Sequence, residues 1–202
     1  MIEKLKASKT SEQILTITVP ELNSYKAKAN YYELQNEEWK HIYVNLYAVT
    51  GKNGIMYNRK QNTNTSPIGD FGFVYGFGIK QNPGIKYKYK DITNSDYWVT
   101  DPNSELYNRW SNNYDGWDRT EEEHLISFGY LYNYAMVIDF NYNVPVKGKG
   151  AAIFMHVASK NGKGTGGCIG LKEEDLVNII KRLEPSKNPR IIITTENGLK
   201  KF

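Results

Sequence analysis

The sequence predicts a mainly β protein: a single domain of sandwich or barrel-like form with one or two helices. Three observations carry this. Short runs rich in β-branched and aromatic residues recur along the chain, clusters of Gly, Asn and Pro punctuate them, and apolar residues take helical spacing in the segment 172–183. At 202 residues and 40% hydrophobic content the chain can bury one substantial core, so one domain is expected over 1–202, with about the first ten residues as a tail. No repeat, low-complexity tract or linker divides it.

Ile14 to Val19 alternates and stops at Pro20. The runs Ser24 to Gln35 and His41 to Thr50, split by the turn Asn36-Glu37-Glu38-Trp39, extend it into an antiparallel meander. Gly51 to Gly54 breaks the pattern, and a stretch rich in Gly, Asn and Thr leads to Phe71 to Gly78, whose glycine-interrupted aromatics suit a bent sheet or a surface close to ligand. From Lys90 to Asp118 the chain is dense in Asn, Asp, Ser, Trp and Tyr with little periodicity, and so long an irregular stretch in a compact domain is usually functional. Thr120-Glu121-Glu122-Glu123 reads as a capping box opening a short helix. Tyr134 to Phe140 and Ala151 to His156 read as buried central strands. Lys172 to Leu183 is helical, with Leu176, Ile179, Ile180 and Leu183 on one face; Pro185 stops it, and Arg190 to Thr195 is the last strand.

Composition narrows the function. A net charge of +4 is modest and spread along the chain. The alternation Lys86-Tyr87-Lys88-Tyr89-Lys90 suits an edge strand protected by lysines as well as it suits a phosphate backbone, and no recognition helix or RNA-binding signature accompanies it, so no nucleic-acid partner is expected. One cysteine excludes an internal disulfide, and no Cys/His cluster has metal-ligand spacing, so neither metal nor other cofactor is expected. No apolar run is long enough to span a bilayer, and the first ten residues lack the apolar core of a signal peptide. The 16 tyrosines suit half-buried sheet faces first and a polymer-binding cleft second.

The chemistry concentrates where Phe154-Met155-His156 is followed twelve residues later by Thr165-Gly166-Gly167-Cys168-Ile169. A thiolate attacks carbonyls well but is scarce at neutral pH, so it needs a base for its proton and donors for the developing oxyanion. His156 can be the base, and the glycines can let backbone N–H groups turn inward. The structural alternative is a small buried thiol beside a satisfied core histidine.

These residues resemble the catalytic motif of the L,D-transpeptidase (YkuD-like) domain family, in the branch with short His–Cys spacing. Other segments are similar in the same order: Ser66-Pro67-Ile68-Gly69-Asp70-Phe71 resembles the family's Thr-Pro-x-Gly-x-Phe turn, and Asp101-Pro102-Asn103-Ser104-Glu105-Leu106-Tyr107-Asn108 its Asp-Pro-x-Ser-x-x-Tyr-Asn segment. Glu123-His124-Leu125 and Tyr130 to Asn141 fit two further patterns of this branch. Many members carry a second His where this chain has Gly166, and Arg or Asn where it has Gly170. Whatever those side chains do must here fall to other groups.

The resemblance implies that Cys168 is the nucleophile, with a helix a few residues downstream whose dipole favours the thiolate. His156 is the base and later the acid, its second ring nitrogen oriented by a backbone carbonyl such as that of Val157, and the N–H groups of Gly166, Gly167 and Cys168 are candidates for the oxyanion hole. Tyr107, Asn108 and Thr165 are expected to contact a peptide, while Asp101 holds its loop or pairs with an ammonium group; a purely structural loop is the alternative. Glu123 and His124 either cap or pack a helix start or line the cleft, and His41 is structural. The implied reaction is transfer between peptidoglycan stem peptides: a thioester forms as D-Ala leaves, and an acceptor amine resolves it. Hydrolysis by the same site, as an L,D-carboxypeptidase, and a non-catalytic wall-binding module are the alternatives; the presence of both Cys168 and His156 argues against the last. An exported protein is implied, extracytoplasmic in periplasm or cell wall, monomeric, with a leader removed.

Overall fold

The computed structural model describes residues 2–119 and 122–202. In chain order the strands are β1 (Gln13–Val19), β2 (Lys26–Gln35), β3 (Glu38–Val49), β4 (Ile55–Met56), β5 (Ser66–Pro67), β6 (Gly69–Phe71), β7 (Phe73–Gly78) and β8 (Tyr89–Asp91). There follow β9 (Tyr97–Val99), β10 (Arg109–Ser111), β11 (Glu122–His124), β12 (Ala135–Ile138), β13 (Phe154–Val157), β14 (Ile169–Leu171), helix α1 (Glu173–Arg182) and β15 (Arg190–Thr195).

The meander exists as read: β1 pairs antiparallel with β2, and β2 with β3. Its hairpin turn is tighter than the sequence suggests, with only Asn36 and Glu37 between Gln35 and Glu38, both at positive φ (51° and 65°). Two successive left-handed residues match the twist of the flanking strands. Ten strands form one curled sheet in the order β6-β15-β1-β2-β3-β14-β13-β12-β7-β8. Three of its pairings are parallel: β7 with β8, β1 with β15, and β13 with β14. The β13–β14 pairing builds the site.

All of β1 is buried because both faces of the sheet are covered there. Leu15, Ile17 and Val19 share a core with Leu176, Ile179, Ile180 and Leu183 at α1, each of the four fully buried and worth about 1.5–3 kcal/mol. Ile14 on the other face meets Ile2, Leu5, Ile192 and Leu199. The expected N-terminal tail is therefore corrected: residues 2–9 form two 3₁₀ turns that bury Ile2, Leu5 and Ala7, since three apolar residues in ten suffice to cover the exposed back of β1 and β15.

Two more expectations change. The irregular stretch after Lys90 contains β9 and β10, which with β11 make a second, three-stranded sheet, β10-β9-β11. The short helix expected after the capping box is a 3₁₀ run, Leu125–Tyr132, broken at Gly129 (φ 55°), and Glu123 and His124 sit on the strand before it; Thr120 and Glu121 lie outside the described residues. The Lys/Tyr alternation ends in the edge strand β8, where Lys90 lies over the rings of Tyr75 and Trp110 and Lys86 pairs with Glu184. Among the described residues no helix is long and apolar enough to cross a membrane.

Candidate active site

His156 lies on β13, and Cys168 is the residue immediately before β14. Because the two strands pair in parallel with Met155 opposite Ile169, Cys168 falls beside Phe154 and two residues from His156 in register. Both side chains line one cavity of about 310 Å³, together with Arg59, Gln61, Thr100, Glu123, Phe128 and Tyr132.

The thiol is held from two directions. Phe154 N–H donates to Sγ at 3.3 Å, and S–H donates to the carbonyl of Ala152 at 3.2 Å. Burial pushes the Cys168 thiol up to about 12; the carboxyl of Glu123 adds to the rise, while the Phe154 N–H and the guanidinium of Arg59 oppose it. Burial also lowers His156, to about 4. Its Nδ1–H donates to the Val157 carbonyl at 2.8 Å, which leaves Nε2 without its proton and able to accept one. A neutral thiol and a neutral imidazole are thus the resting pair. No helix dipole assists: β14 separates Cys168 from α1, whose first turn carries Glu173, Glu174 and Asp175, so that expectation is withdrawn.

The turn before Cys168 is built by hydroxyls. Thr165 Oγ1 accepts the Gly167 N–H at 3.0 Å and donates to the Cys168 carbonyl at 2.7 Å. Ser66 accepts the Gly51 N–H and donates to the Gly167 carbonyl, tying β5 to this turn. Thr165 therefore lines the cavity with its hydroxyl committed, and Gly167 N–H is spent inside the turn. Of the three N–H groups expected as candidates, this bonding leaves those of Gly166 and Cys168.

The loop residues fall into a supporting layer. Asp101 accepts the N–H groups of Asn103 and Asp118 and holds its loop. Tyr107, 2% exposed, donates to Gln61 and accepts the Gly150 N–H. Asn108, at φ 58°, accepts from Trp98 Nε1 and from the Ala152 N–H and donates to the Asn141 carbonyl. None of the three lines the cavity. Asn108 instead fixes Ala152, itself at φ 54°, whose carbonyl accepts the hydrogen bond of the thiol. Asp101 thus holds its loop, the first of the two roles expected of it, and Tyr107 and Asn108, expected to contact peptide, have their polar atoms hydrogen-bonded within the protein, as buried polar groups require.

Arg59 escaped sequence reading, whereas Glu123 takes the cleft-lining alternative given for it. Arg59 is 5% exposed; Nε–H donates to the Thr65 carbonyl at 2.7 Å, whereas Nη1 is buried with no hydrogen-bond partner. It fits because Gly150 and Gly167 have no side chains: a Cβ would come within 1.7 Å of Nη1 at the first and 2.9 Å of Nη2 at the second. Glu123 lines the same cavity, accepting from the Tyr132 hydroxyl at 2.8 Å, and its burial raises it to about 7. The Glu-His-Leu pattern was its one signal; His124, its neighbour, turns away to stack on Tyr97. His41 is likewise remote, stacked on Tyr32. Among the described residues no three His, Cys, Asp or Glu side chains converge on a metal position.

The cysteine turn and the histidine strand of the curled sheet thus open their side chains into one cavity. The chain belongs to the L,D-transpeptidase catalytic domain family (YkuD), whose model matches residues 23–193. Comparison with curated proteins and with solved structures gave no match.

Proposed function

We propose that this protein is a cysteine-dependent peptidoglycan L,D-transpeptidase. The observation that carries the reading is the joint opening of the Cys168 thiol and the His156 imidazole into one cavity, with Nδ1 capped by Val157 so that Nε2 is left to accept a proton. As Sγ attacks the carbonyl joining the L-centre of a diamino acid to a terminal D-Ala, the thiol proton passes to Nε2. Synchronous transfer suits a pair whose separate ionisation burial disfavours. The N–H groups of Gly166 and Cys168 receive the oxyanion, His156 gives its proton to the departing D-Ala amine, and a thioester remains. An amine of a second stem peptide then attacks it, forming the cross-link and returning the proton to sulfur. The substrate polymer implies an extracytoplasmic site of action, and a single copy supplies every group the reaction uses.

Incubating the protein with a tetrapeptide muropeptide and reading products by mass spectrometry tests this. Cross-linked dimers with a thioester at Cys168 are expected, and Cys168→Ala yields neither. Tripeptides without dimers would replace the transferase by the L,D-carboxypeptidase, and an unchanged substrate would leave a wall-binding module.

A further inference from the structure

Both signs of charge line the cavity. Arg59 and Glu123 both line it and feel one another electrostatically, yet no ion pair joins them. Glu123 is the only carboxylate among the described lining residues. One of its oxygens takes the Tyr132 hydroxyl, and the stacked rings of Phe128 and Tyr132, 4.6 Å apart, stand on the same wall beside Leu131. A carboxylate next to aromatic faces and an aliphatic side chain is the environment that receives a primary ammonium on an alkyl stem.

We propose that Glu123 is the acceptor-amine residue: it binds the incoming ammonium beside Phe128 and Tyr132 and takes the proton that must leave before nitrogen can attack. This rests on the transfer reading above. An ammonium is no nucleophile, and His156, held near 4, is a poor acceptor for its proton. Glu123, raised to about 7, is a far better one; Tyr132, Arg59 and Cys168 act on it, and His156 and Lys163 line the same cavity. The step balances. R–NH₃⁺ gives one proton to Glu123; the free amine forms the C–N bond; collapse breaks the C–S bond, and a second nitrogen proton passes through His156 to sulfur. The third stays on the new amide, and Glu123 returns its proton to water.

The test separates the two half-reactions in the full chain. Glu123→Gln keeps the acceptor for the Tyr132 hydroxyl and removes the charge that opposes the thiolate, so a tetrapeptide donor should form the Cys168 thioester at least as fast as in the wild type. On addition of a primary-amine acceptor, transfer from that thioester should fall about 100-fold, the scale of losing a general base. In the wild type, transfer should rise with pH through a limb near 7 that Glu123→Gln lacks. Tyr132→Phe keeps the carboxylate but removes a hydroxyl that stabilises its charge, so it should move the limb to higher pH, and it tests the assignment if Glu123→Gln fails to fold. Aminolysis at the wild-type rate in Glu123→Gln, an unmoved limb in Tyr132→Phe, or loss of acylation in a folded Glu123→Gln overturns the proposal alone. A wild type that forms no thioester overturns the transfer reading and this proposal with it.

Discussion

The guanidinium of Arg59 carries one hydrogen bond, to the Thr65 carbonyl, and lies against Gly150 and Gly167 in a setting 5% exposed. A buried ion so sparsely paired costs several kcal/mol, and burial lowers its own pKa, opposed first by Cys168. Its return is electrostatic: it is the cation that favours thiolate at Cys168. The family's Arg or Asn two residues after the cysteine is Gly170 here, so a positive charge reaches the turn from a different segment of the chain. Replacing Arg59 with Met fills a similar volume without the ion. Alkylation of Cys168 by iodoacetamide at pH 9 should slow about tenfold, the effect of one pKa unit, with the thermal midpoint unchanged or raised. A lowered midpoint with unchanged alkylation would make Arg59 a structural post.

At the scale of the element, the turn 165–168 assigns its two glycines different tasks. Gly167 has φ 143°, and a Cβ there would lie 2.9 Å from both Arg59 Nη2 and the Thr65 carbonyl oxygen. Gly166 faces open space, with nothing within 4 Å of a Cβ. Gly167→Ala should therefore lose about 1–3 kcal/mol in urea unfolding, whereas Gly166→Ala should unfold like the wild type. Equal losses would contradict the turn geometry. Sequence alone made the two glycines equivalent, because φ is a property of the turn and not of the residue type. What was legible were features with local signals: the α1 face from its spacing, the meander from its alternation, and Cys168 with His156 from their order along the chain. Asn108 was legible as special but not in its role, since a carboxamide that reaches substrate and one that braces Ala152 have the same sequence. Arg59 was not legible at all; long-range contacts such as the bridge of Gly51 to Thr165 and the hydroxyl of Ser66 bring its segment against the cysteine turn.

Over the whole molecule, burial of titratable groups makes the fold sensitive to alkali. Tyr31, Tyr75, Tyr87, Tyr89 and Tyr132 are all raised, in each case chiefly by loss of solvent, and Cys168 is raised to about 12 for the same reason. The sign follows from proton counting. In the unfolded chain these groups release their protons near pH 8.5 for the thiol and near 10 for the phenols, while the folded chain still holds them, so the folded state binds more protons and stability falls as pH rises. It is fully present below about pH 8.5 and is lost above it, at up to about 1.4 kcal/mol per pH unit for each group that ionises only on unfolding. The urea midpoint should therefore hold between pH 7.5 and 8.5 and drop steeply by pH 10.5. Cys168→Ala should soften the first part of the drop, between pH 8.5 and 9.5, where the thiol acts before the phenols. Phenolate absorbance at 295 nm should show part of the 16 tyrosines titrating near pH 10 and the buried set appearing only together with loss of the near-ultraviolet dichroism of the fold. If all 16 titrated in one step near pH 10 with that dichroism intact, the buried phenols would be in contact with water and the two-faced covering of the sheet would be wrong.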